Sequence, residues 1–99
     1  MRVELLYFKG CPNWRTVDRR LHLLAREQGF EVHHRLVSTA EEAELEGFRG
    51  SPTVMVNGRD LFARCDEPIG MSCRLYRTPD GPAGAPTIDM LRVALGAAS

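Results

Sequence analysis

Ninety-nine residues, 43% hydrophobic and 26% charged, suffice for one domain with a core, burying roughly 60–65% of the unfolded surface at this size. Thirteen basic and thirteen acidic residues cancel, so no charge excess argues for nucleic acid or an anionic membrane as partner. Three cysteines, an odd number without an export signal, point to a reducing, cytoplasmic setting in which at least one thiol is free.

Arg2 to Phe8 is rich in Val, Leu and aromatic residues and is followed by Lys9-Gly10, the pattern of a short buried strand. Its VELLYF run contains Glu4 and is too short to span a membrane. From Pro12 the period changes. Trp14, Val17, Leu21, Leu24 and Gln28 recur at steps of three and four, with Arg15, Asp18, Arg19, His22 and Arg26 off the stripe. Proline suits a first helical turn, and Gly29 closes the helix. Phe30 to Val37 alternates as a second strand, which makes a right-handed βαβ unit with parallel strands.

Ser38 or Thr39 caps a short helix through AEEAELEGF, whose acidic first turn complements the helix dipole. In RGSPTVMVNGRDLF, Thr53 to Val56 is a third strand, Asn57-Gly58 a hairpin turn, and Arg59 to Phe62 an antiparallel fourth strand. Thr87 caps a last helix to Leu95, with Ile88, Leu91 and Leu95 on one face. Between them, residues 63–86 are too long for a casual connection and are expected to carry order or a role. CRLYRT offers a short extra strand there, and PDGPAGAP reads as turn and loop. The expected fold is α/β, one domain over residues 1–99, in the order β-α-β-α-β-β-α. It has a four-stranded mixed sheet and an extended segment before the last helix.

Cys11 falls at about the N-cap of the first helix, where unsatisfied N–H groups and the dipole favour an anion and hence the nucleophilic thiolate. Lys9 adds some positive potential. The alternative is a small buried cysteine that fills a helix start. If the third strand pairs antiparallel with the first, Ser51-Pro52 lies beside Gly10-Cys11. A cis peptide there would leave a free backbone edge for an extended substrate or thiol carrier; an ordinary strand-start proline is the plainer reading.

The order of elements, GCPNW after the first strand and GSPT before the third resemble the thioredoxin-like superfamily over about two-thirds of the chain. CPNW is similar to the glutaredoxin pattern Cys-Pro-aromatic-Cys, with Trp14 in the second cysteine's place. The chain also resembles small thioredoxin-like proteins often labelled alkylmercury lyase, without the catalytic domain that name describes. The resemblance implies a thioredoxin-like fold and Cys11 as nucleophile. It also implies a cis-proline segment, Ser51-Pro52-Thr53, which with Pro12 and Trp14 borders the substrate.

CPNW cannot form its own disulfide, so Cys11 needs a thiol from elsewhere. Cys73 in SCRLY is a candidate resolving cysteine or a buried structural one. Cys65 reads as more exposed and incidental. Trp14 is either a core anchor or a wall of the groove. Three thiols together suit a soft metal such as zinc or mercury, but their spacing is weak, and His33 and His34 point to opposite strand faces. No metal set or cofactor is therefore assigned. Lyase chemistry on an organomercurial would also need a proton donor, for which Asp66 is only a nominal candidate. Arg49 is placed to hold a substrate carboxylate.

The reading that results is a thiol-disulfide oxidoreductase or related thiol-dependent redox protein. Its partner is a low-molecular-weight thiol or a protein disulfide, with no nucleic acid and no membrane. The alternative is a non-catalytic module that binds a thiol compound, soft metal or protein at the same groove.

Overall fold

The structure, a computed structural model, describes residues 1–64 and 67–98. In chain order its elements are β1 (Arg2–Tyr7), α1 (Trp14–Gln28), β2 (Glu31–Leu36), α2 (Ala40–Glu46), β3 (Thr53–Val56), β4 (Arg59–Asp60), β5 (Tyr76–Thr78), β6 (Gly81–Ala83) and α3 (Ile88–Ala98). Four of the strands form one mixed sheet in the order β2-β1-β3-β4. β1 runs parallel to β2, with Val3 opposite Val32, and antiparallel to β3, with Leu5 opposite Val54. This is the expected mixed α/β arrangement.

Because side chains alternate across a strand, the central strands feed two cores at once. Val3, Leu5, Val54 and Val56 pack on one face against Val17, Leu21 and Leu24 of α1 and Leu91 and Leu95 of α3. Leu6 and Met55 point to the other face, where Val37, Ala43 and Phe48 complete a second cluster under α2. The α1 stripe read from the sequence supplies the buried residues Val17, Leu21 and Leu24. Each such side chain contributes about 1.5–3 kcal/mol when fully buried.

Helix ends follow local chemistry. Gly29 takes the left-handed conformation at the end of α1 and donates its N–H to Ala25 O at 2.8 Å. Thr39 caps α2, its Oγ1 accepting from Glu42 N–H, and Thr87 does the same for Met90 N–H at the start of α3.

Three expectations are corrected. The fourth strand ends at Asp60 rather than Phe62, because the Asp60 carboxylate accepts the Phe62 N–H and turns the chain. PDGPAGAP is not all loop: Gly81–Ala83 is β6, paired antiparallel with β5. Pro82 stands opposite Arg77, one pair beyond the Thr78–Gly81 closure, and antiparallel pairs alternate between bonded and unbonded. Its missing N–H therefore leaves the ladder intact. The extra strand itself begins at Tyr76, not Cys73.

Candidate functional site

After β1 the chain turns through Lys9 and Gly10, and Cys11 donates its N–H back to Phe8 O at 3.3 Å. Gly10 has a φ of 90°, a conformation that favours glycine. Cys11 is buried, with 4% of its surface exposed. It is not the N-cap. The first helical bond of α1 runs from Val17 N–H to Asn13 O, which makes Asn13 the cap and sets Cys11 two residues outside the helix. Pro12 between them is exposed. The Asn13 side chain meets the backbone of the loop before α3, where a Cβ on Gly84 would stand 2.1 Å from its Nδ2.

Trp14 begins the apolar stripe and is only partly buried against the core. Its ring stacks on Tyr7 with centroids 4.3 Å apart and meets His34 edge-on at 5.4 Å. It therefore anchors the helix start while part of its surface stays exposed. His34 pairs through Nε2 with Asp18, while His33 faces Glu31 at 3.4 Å.

The Ser51-Pro52 peptide is cis, as expected. Ser51 touches both candidate cysteine regions. On one side its Oγ accepts the N–H of Phe8, the residue whose carbonyl holds Cys11. On the other, Ser51 N–H donates to Ser72 O at 2.9 Å and Arg74 N–H donates to Ser51 O at 3.0 Å, a parallel bridge with Cys73 at its centre. The free backbone edge expected at this segment is thus a correction, because residues 72–74 occupy it. The approach is tight enough to require glycine next door, since a Cβ on Gly50 would lie 2.9 Å from Ser72 O. Pro52 and Thr53 are fully buried, so their side chains point into the protein.

What holds residues 72–74 in place is Arg74, 2% exposed. Its guanidinium donates to Asp60 at 2.8 Å, to both Glu67 carboxylate oxygens, to Phe62 O at 2.7 Å and to Thr53 Oγ1 at 3.2 Å. It also lies 4.9 Å from the Tyr76 ring centroid, and Tyr76 donates its hydroxyl to Pro52 O. Burial works against the Arg74 charge, but nearby Tyr76, Asp60 and Glu67 outweigh it and raise its pKa. Burial also raises the Tyr76 phenol above its ordinary range, with the Arg74 charge opposing. Among the described residues no buried side-chain polar atom lacks a partner.

Arg49 does not reach toward a substrate carboxylate. Its guanidinium donates to the carbonyls of Arg64 and Glu67 and ties the long connection down. Cys73 is exposed, which corrects the alternative of a buried structural cysteine. It lines an open depression of about 360 Å³ with Arg49, Leu75, Arg77 and Pro82. Cys65 and Asp66 lie outside the described residues. Among the described residues, no three His, Cys, Asp or Glu side chains are grouped to hold a metal, and no helix is long and apolar enough to cross a membrane.

Comparison with protein-family models, curated proteins and solved structures finds no match to this chain.

Proposed function

We propose that this chain is a thioredoxin-like domain that performs thiol–disulfide exchange at Cys11. The observation that carries the reading is the tie through Phe8. Its carbonyl holds the Cys11 N–H and its N–H is held by Ser51 Oγ, so the cysteine loop and the Ser51-Pro52 segment form one unit. Chemically, a thiolate at Cys11 attacks a disulfide RSSR and forms Cys11–S–SR. The RS⁻ that leaves takes a proton from water. A second thiol R′SH, deprotonated, then attacks the sulfur of the R group, releases RSSR′ and returns the Cys11 thiolate. No second cysteine within the CPNW motif is needed for this cycle. Among the described residues the other thiol is Cys73, bridged to Ser51; acting as a resolving thiol it would attack the Cys11 sulfur, release RSH and leave a Cys11–Cys73 disulfide for an outside thiol to reduce.

A second reading has one observation in its favour. Cys11 is 4% exposed, which suits a module that binds a partner at this end of the sheet without turnover. Replacing Cys11 by Ser separates the two. Loss of disulfide reduction in the presence of a thiol donor, with an unchanged circular dichroism spectrum, is the expected result. Activity that survives the substitution would transfer the weight to the binding module.

A further inference from the structure

We infer that the disulfide substrate of Cys11 is a small molecule and not an extended polypeptide; this rests on the reading of Cys11 as an exchanging thiol. An extended chain binds at a sheet edge by pairing its main chain with free N–H and C=O groups. Ser51 is the residue of β3's approach that would offer such groups beside the Cys11 loop, and both are already taken. Its N–H goes to Ser72 O and its C=O accepts from Arg74 N–H.

The occupying segment is not lightly held. Arg74 sits in the interior with hydrogen bonds to Asp60, Phe62, Glu67 and Thr53, and Tyr76 fastens the following residue pair to Pro52 O. Displacing residues 72–74 to admit a peptide would strip a buried guanidinium and two carboxylates of their partners. The strap also lies close against the neighbouring backbone, since a Cβ on Gly50 would stand 2.9 Å from Ser72 O and 3.1 Å from Arg74 Cβ.

Access to the sulfur gives the same answer independently. Only 4% of Cys11 is exposed, and a compact RSSR fits so small an opening more readily than a cystine flanked by chain on both sides. Both sulfurs of such a molecule are accounted for in the exchange above: one is captured as Cys11–S–SR and the other leaves as the thiol.

The test uses the full chain with Cys65→Ser and Cys73→Ser, so that Cys11 is the only thiol. Two probes carry the same activated disulfide to thionitrobenzoate: N-acetylcysteine, and a short extended peptide with a central cysteine. Release of the coloured thiol is timed for each with native protein and with protein unfolded in urea, and the native ratio is divided by the unfolded one. A corrected preference of about tenfold or more for the small probe is expected from loss of the pairing edge. Equal corrected rates would overturn the substrate preference and leave the exchange reading standing. No release from either probe in the native state, with release in urea, would remove the exchange reading and this inference with it.

Discussion

Ser51 divides two regions that lie close together and are held by different physics. On one side the Cys11 loop is kept in place by single hydrogen bonds, from Cys11 N–H to Phe8 O and from Phe8 N–H to the Ser51 hydroxyl, and by the fit of Asn13 against Gly84. On the other, residues 72–74 are pinned by a buried cation that serves two carboxylates, a hydroxyl and a carbonyl. The first region has a recessed thiol and little holding it. The second has an exposed thiol and a rigid anchor. Rigidity here belongs to the residues that close off the Ser51 edge, and the reacting loop borrows it through one serine.

The strongest way to break that contrast is Arg74→Ala. It leaves Asp60 and Glu67 facing one another without their cation, and a loss of about 3–5 kcal/mol in stability is expected. The urea midpoint should fall accordingly with little change in slope. A loss under about 1 kcal/mol would mean the pair behaves as a solvated surface bridge and the strap is not the rigid side.

The loop side is probed by Gly84→Ala. The added methyl runs into the Asn13 side chain, and an overpacking cost of about 1–3 kcal/mol is expected. Asn13→Ala in the same chain should recover most of it. If the two changes simply add, the fit between these loops does not matter to the Cys11 turn.

The smallest effect comes from Tyr76. Its hydroxyl bond to Pro52 O is worth about 1 kcal/mol, which Tyr76→Phe should remove at neutral pH. The pH dependence has a definite sign. The folded phenol keeps its proton above the pH at which the unfolded one, near the ordinary value of 10.0, gives its own up. From there upward the unfolded state binds fewer protons, and stability falls by about 1.4 kcal/mol per pH unit until the folded phenol titrates as well. In the Phe variant this alkaline slope should flatten. An unchanged slope would assign it to other groups.

The sequence carries the two kinds of order unequally. β1, α1 and β3 were legible because a strand and a helix write their period into neighbouring residues, and Asn57-Gly58 and Gly29 mark the turns. The approach of Ser51 to the cysteine loop follows from strand order, whereas the cis peptide is what the resemblance at GSPT implies. The strap follows from neither. Arg74 draws its partners from positions 53, 60, 62 and 67, and no local pattern distinguishes it from the eleven other arginines, most of which read as surface charge. Arg49 was misread for the same reason, since its acceptors are main-chain carbonyls that leave no trace in composition. β6 was hidden by its own residues, because Gly-Pro-Ala has little preference for a strand and pairs there through the short turn that precedes it. Cys11 was set two residues too far along because proline marks a helix start only approximately.

The short fourth strand has one more effect. A sheet ends where its outer strands present unpaired main-chain groups, and a long flat border is a template on which further copies can add. Here β4 stops after Arg59 and Asp60, so one border is two residues long before the chain bends away. The opposite border, β2, places Glu31, His33, His34 and Arg35 along six residues, and a second copy laid parallel and in register against it would bring like charges and imidazoles together. With residues 72–74 filling the gap at Ser51, edge-to-edge growth of the four-stranded sheet is opposed at β4, along β2 and at Ser51.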